Sequence, residues 1–218
     1  MNHTYTKKEA LQIVITSAKE YAELLEGLNF LFIYRNRNNH KIEFFEAVFL
    51  PRNFQHLTGI EFIDAKGNLR KNAVFFYNKC LDNTITEDEI RFKEDGTTPL
   101  KLEALPMLLR FLHFSKMTAI YNGKKPKLAV SRITGTINYC LGFIKEGKYY
   151  VPGSCLKEDI RKLGDPVSQI LAVMSKRANR FEPIYKELRY VAKGVPLNRL
   201  ILPDELNHLI SLEKYIEK

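Results

Sequence analysis

Residues 28–50 read LNFLFIYRNRNNHKIEFFEAVFL, and this stretch decides the fold. Leu28–Arg35 and Lys41–Leu50 are rich in Phe, Ile, Val and Tyr, the residues that suit a pleated, packed backbone. Asn36-Arg37-Asn38-Asn39-His40 between them is polar and turn-forming, so the segment reads as a β-hairpin. Both runs are apolar on both faces in places, which puts the second strand centrally in a sheet covered by helices. Arg35, Arg37, His40 and Lys41 make the hairpin tip basic.

Upstream, Thr6-Lys7-Lys8-Glu9 has capping-box spacing. Leu11, Val14, Ala18, Tyr21, Ala22 and Leu25 follow at helical intervals, with Gly27 as the stop. A helix over 6–26 follows. Downstream, Pro51 ends the second strand, and Asn53-Phe54-Gln55-His56-Leu57-Thr58-Gly59-Ile60 follows that strand and leaves the sheet through a glycine. Helices are expected over 69–82, from Thr86, and from Pro99 through Leu102, Leu105, Leu109 and Leu112, the last bending at Pro106. From Met117 short strands follow: 117–121, 127–134, 137–145, 148–152 and 167–174, with Glu146-Gly147 turning the third into the fourth. A helix is expected over 156–163 and an amphipathic helix over Asp204–Lys218. Helices precede most strands, so the class is α+β: N-terminal helices on a mainly antiparallel sheet, with a C-terminal helical extension. The expected division is one α+β domain over 1–177 and an extension, 178–218, packed on it.

The chain has 218 residues, 45% of them hydrophobic, with 14 Phe and 11 Tyr, enough for a sizeable core. Lys and Arg number 34 against 25 acids, a formal charge of +9. A positive field concentrates polyanions, so nucleic acid is the first partner class and anionic membrane the second. Cys80, Cys140 and Cys155 are widely spaced with no CxxC pair, which fits a reducing, cytoplasmic setting and neither a zinc ribbon nor a disulfide framework. The N-terminal MNHTYTKKEALQ lacks the apolar run of a secretory signal, and no stretch is long enough to span a membrane. GxxxxGK[ST], GxGxxG, HExxH and GxSxG are all missing, and His3, His40, His56, His113 and His208 form no ligand pair. No metal and no cofactor is expected.

His56 has the side chain suited to proton transfer near neutrality. Thr58 can donate to a phosphate oxygen, and Gly59 lets backbone approach a ligand; the bland alternative is a strand-end histidine beside a turn glycine. Arg132 and Thr134 alternate on one strand and share a face, either the concave side of the sheet or solvent. Lys101 near a helix start is either solvated or a phosphate ligand, and Ser154 is either a helix cap or a phosphate donor. Lys124-Lys125-Lys127, Lys176-Arg177-Arg180 and Lys186-Arg189-Lys193 are basic clusters near Tyr149, Tyr150, Phe181, Tyr185 and Tyr190. Cations mixed with aromatics can hold a single strand.

The segment Phe49-Leu50-Pro51-Arg52-Asn53-Phe54-Gln55-His56-Leu57-Thr58-Gly59 resembles the F-x-x-x-N-F-x-H-L-T-G signature of the fourth group of phage barnase–EndoU–colicin–RelE-like nucleases, carried by phages and other mobile elements. Thr97-Thr98-Pro99-Leu100-Lys101-Leu102 continues it, and Tyr150-Val151-Pro152-Gly153-Ser154-Cys155-Leu156 is similar to the late P-x-S-L element, with Cys155 displacing its leucine. The resemblance implies N-terminal helices followed by a four-stranded antiparallel sheet and metal-independent cleavage of RNA. In that chemistry His56 is the acid or base, and Thr58, Lys101 and Ser154 hold the phosphate. Arg52, Arg132, Thr134, Tyr150 and Lys176 are the expected RNA-binding side chains. A toxin-like effector with a cognate antitoxin or host partner fits; a catalytically silent nucleic-acid binder and a protein-interaction inhibitor are the alternatives. The oligomeric state stays open.

Overall fold

The computed structural model describes residues 4–110, 115–123, 127–178 and 182–212. His3, Leu112, His113, Lys124, Lys125, Arg180, Phe181 and the expected helix end at 213–218 lie outside the described residues.

Helix α1 (Lys7–Leu24) begins on the expected box: Glu9 N donates to Thr6 Oγ1 at 3.2 Å, and Thr6 N donates to a Glu9 carboxylate oxygen at 2.7 Å. Its buried face is Ala10, Leu11, Val14, Ala18 and Tyr21. Strands β1 (Leu28–Arg35) and β2 (Ile42–Val48) form the hairpin, paired from Asn29↔Val48 to Arg35↔Ile42. β1 is the strand covered on both faces; β2, which carries Glu43 and Glu46, is only half-buried.

The next element differs from its sequence reading. Pro51–Thr58 is a helix, α2, not a strand exit. Pro51 sits at its start, where the missing N–H costs nothing, and Asn53 Oδ1 accepts from Leu50 N at 3.3 Å. Phe54 and Leu57, three residues apart, bury one side of the helix. Strand β3 (Ile60–Phe62) follows, then α3 (Ala73–Leu81), a 3₁₀ turn at Glu87–Glu89 and β4 (Ile90–Phe92), which pairs with β3. Asn72 caps α3 by accepting from Phe75 N at 2.9 Å. Asn72→Ala should cost about 1 kcal/mol, a fall in melting temperature of roughly 2–4 °C readable by thermal denaturation. Helix α4 (Thr97–Leu109) runs through Pro106.

Strands β5 (Met117–Ile120), β6 (Arg132–Gly135), β7 (Cys140–Glu146) and β8 (Tyr149–Leu156) follow, with β7 and β8 turning at Gly147 as expected. The short helix α5 (Ile160–Leu163) then leads to β9 (Ser168–Arg177). Beyond residue 178 the chain supplies an edge strand, β10 (Glu187–Val191), a 3₁₀ turn at Leu197–Arg199 and the short helix α6 (Asp204–Asn207). The fold is α+β with a mainly antiparallel sheet of eight strands, in the order β1-β2-β8-β7-β6-β5-β9-β10, rather than four. Because β1 also pairs with β9, from Leu28↔Arg177 to Arg35↔Gln169, seven of the strands close into a ring. Among the strand pairings of the described residues, only β2–β8 is parallel. A smaller sheet joins β3 and β4.

The ring is filled from several strands at once. Phe32 of β1 stacks on Phe45 of β2 at 4.6 Å and meets Phe143 of β7 edge-on at 6.1 Å. The helices close one end: Tyr21 of α1 lies 6.1 Å from Phe49 and 5.3 Å from Phe54, and its hydroxyl donates to Leu50 O. Outside the ring, Leu31, Ile33, Ala172, Met174, Tyr185 and Leu206 form a second core. No described helix is long and apolar enough to cross a membrane.

Candidate active site

α2 presents its polar side away from the core, with His56 exposed near its C-terminal end. Gly59 stops the helix in the left-handed conformation, φ 69°, as a glycine at this position commonly does. Two side chains tie this end down. Lys101 of α4 is buried and donates from Nζ to His56 O at 2.7 Å. Thr98 donates to Gly59 O at 2.7 Å and accepts from Lys93 N at 2.9 Å. An ammonium on a terminal helix carbonyl also complements the negative end of the helix dipole.

His56 lines a cleft of about 350 Å³ with Gln55, Glu61, Arg70, Lys71 and Lys93. Its single lining carboxylate, Glu61, is paired with Arg91 at 2.7 Å. Although the ring reaches solvent, partial burial lowers the imidazole pKa below its ordinary value, and the charges of Lys101 and Lys93 lower it further. Burial also lowers the pKa of Lys101. A neutral imidazole at pH 7 in a cationic cleft can take a proton beside a bound phosphate. No cluster of three His, Cys, Asp or Glu suited to a metal ion occurs among the described residues.

The other expected residues are dispersed. Thr58 is fully buried and its hydroxyl is committed to backbone, donating to Gln55 O at 2.8 Å and accepting from Ile60 N at 3.0 Å. Ser154 is buried on β8 opposite Gly142, with no partner for its hydroxyl. It alternates with Cys155, whose Sγ faces α2 at 3.0 Å from Leu57 O, so Ser154 points to the other face of the strand. Arg52 is exposed and ion-paired with Glu146 at 2.7 Å. Lys176 donates to Pro183 O at 2.7 Å and covers the Tyr185 ring.

Arg132 and Thr134 face the concave interior. The Arg132 guanidinium lies 5.2 Å from the Tyr34 ring, 4.7 Å from Phe45 and 5.5 Å from Tyr150. These rings belong to three different strands, so Arg132 occupies the inside of the ring rather than solvent. Thr134 is fully buried nearby on β6 with its hydroxyl unpartnered. The structure therefore brings His56 and Lys101 together and gathers Arg132 and Tyr150 in a separate place. Arg70, Lys71 and Lys93 were not singled out from sequence. The adjacent cations Arg70-Lys71 after the Gly67 turn are the one signal that could have found the first two, and nothing comparable marks Lys93.

The family model described as phage-Barnase-EndoU-ColicinE5/D-RelE like nuclease 4 matches residues 13–193. No curated protein and no solved structure matches the chain.

Proposed function

The chain belongs to the phage-Barnase-EndoU-ColicinE5/D-RelE like nuclease 4 family, and on that premise we propose that it is an endoribonuclease that cuts RNA with the strand's own 2′-hydroxyl, without a metal ion, at the His56 cleft. The observation that carries this reading is a histidine with a lowered pKa in a hollow lined by Arg70, Lys71 and Lys93.

His56 accepts the 2′-hydroxyl proton, and the 2′-oxygen attacks phosphorus. Lys93 and Arg70 steady the charge that builds on the phosphorane, a contribution of about 3 kcal/mol for one preorganised donor. The bond from phosphorus to the 5′-oxygen then breaks, and solvent protonates the departing oxygen. The products are a 2′,3′-cyclic phosphate and a 5′-hydroxyl. Lys101 is a positioning residue, holding the carbonyl of His56 and with it the end of α2.

Purified protein incubated with RNA in EDTA should give fragments with cyclic phosphate ends. Intact RNA, or fragments with 5′-phosphates, would contradict the mechanism. The pH profile provides a second check. A base is active when unprotonated, so the rate should rise with pH to a plateau, with its midpoint below the ordinary histidine value. Lys93 favours the neutral ring, so Lys93→Gln should move that midpoint upward, measured from initial rates across pH 5–8.

A further inference from the structure

The Arg132 cage opens on a feature that the His56 chemistry does not use. Tyr34 lies four residues along β1 from Phe30, and Phe30 and Phe49 pack together near Tyr21 at the helix-covered end of the ring. Tyr34 and Arg132 thus stand about 13 Å further along the ring. There a cavity of about 80 Å³ is lined by Tyr34, Glu43, Thr118, Arg132 and Ser168, among others. At about 30 Å³ per water, that is room for two or three waters, or one small polyatomic group.

We infer that this cavity is an oxyanion pocket in which Arg132 and Ser168 hold a phosphate group. Arg132 makes no ion pair among the described residues, and its Nε is buried without a partner. Its Nη1 reaches Thr118 Oγ1 at 3.5 Å, a hydroxyl that already gives its proton to Ile133 O at 3.0 Å, and the guanidinium also bonds the Tyr34 hydroxyl. The three aromatic faces steady the cation, and of the five guanidinium donors the buried Nε–H is the one left over for a ligand. Ser168 is buried and its oxygen accepts from Arg37 N at 3.2 Å, which leaves its proton for a ligand.

The lining carboxylate, Glu43, is occupied. It accepts from Tyr34 OH at 2.7 Å, Asn36 at 2.8 Å and Asn39 at 3.1 Å. The Glu43 carboxylate also feels the charge of Arg132, and Arg35, Arg37 and Lys41 on the hairpin tip, outside the cavity lining, add positive charge nearby. The cavity is too small for a base and suits a single phosphate, supplied either free or at the end of an RNA strand.

The pocket does not depend on the proposed cleavage reaction, so binding can be read in the His56→Ala protein, where cleavage of the oligomers is slowed. Calorimetric titration with inorganic phosphate, and with short RNA oligomers that differ only in a 5′-phosphate or 5′-hydroxyl end, separates the two sources. Saturable binding of inorganic phosphate, or a preference for the phosphorylated oligomer, is expected. Adding Arg132→Gln to this protein should weaken it roughly tenfold or more, and Ser168→Ala should weaken it less. If Arg132→Gln fails to fold by circular dichroism, Ser168→Ala carries the test alone. No saturable binding of either probe, or binding unchanged in the folded variants, would overturn the pocket.

Discussion

Replacing His56 with alanine should reduce RNA cleavage by roughly 10²–10⁴-fold, the usual contribution of one proton-transfer side chain. That range corresponds to about 3–5 kcal/mol of lost transition-state stabilisation. The fold should survive, because the imidazole is exposed and the tie from Lys101 to residue 56 runs through the backbone carbonyl, which alanine keeps. Melting temperature should therefore stay near that of the parent while the rate collapses. This separates loss of chemistry from loss of structure. Cleavage undiminished in the variant would remove His56 from the mechanism. Lys101→Met gives the contrasting pattern: the ring remains, but the carbonyl of His56 loses its ammonium, so a smaller fall in rate accompanies a measurable loss of stability.

The sequence pattern made the class, the first helix and both hairpins legible, because each depends on neighbours within a few residues. Thr6 and Glu9 close the box that their spacing announced, and Glu146-Gly147 turns β7 into β8. α2 escaped because eight residues give barely two turns, too few to establish a period. Asn53, Thr58 and Gly59 also look like loop chemistry when read after a strand. Pro51 at the start, Phe54 and Leu57 on one side and Gly59 at the end are helix signals once taken together.

The ring could not be read locally, since its closing pair, Leu28↔Arg177, joins residues far apart in the chain. The inward side of Arg132 stayed open for the same reason: alternation assigns two residues to one face without saying which face is covered. β10 was hidden differently. Glu187, Leu188, Arg189, Tyr190 and Val191 alternate, but as an exposed edge strand they read as part of a charged cluster. The separation between His56 and Arg132 follows from this nonlocal closure, which is why residues grouped by motif did not all meet at one site.

Gly59→Val should both destabilise the protein and impair the cleft, because this position serves two constraints at once. Its φ of 69° is costly for a branched side chain, and a Cβ there would lie 2.9 Å from Lys101 Cδ and 3.2 Å from Thr98 Cα. The Lys101 stem can shift, but Thr98 Cα is backbone, fixed by the bond from Thr98 to Gly59 O. The left-handed penalty of about 1–2 kcal/mol and overpacking of about 1–3 kcal/mol together imply a loss of roughly 2–5 kcal/mol. For a chain of this length that lowers the melting temperature by roughly 5–15 °C. The relief available to Lys101 carries its ammonium away from His56 O, so the folded fraction should also cleave more slowly. Gly27→Val is the control, since its φ is similar, 71°, but no atom lies within 4 Å of the added carbon. It should show the conformational penalty alone, with cleavage per folded molecule unchanged. Equal effects from the two substitutions would mean that the contact with Lys101 and Thr98 contributes nothing, and that α2 is held in place by its buried Phe54 and Leu57 instead.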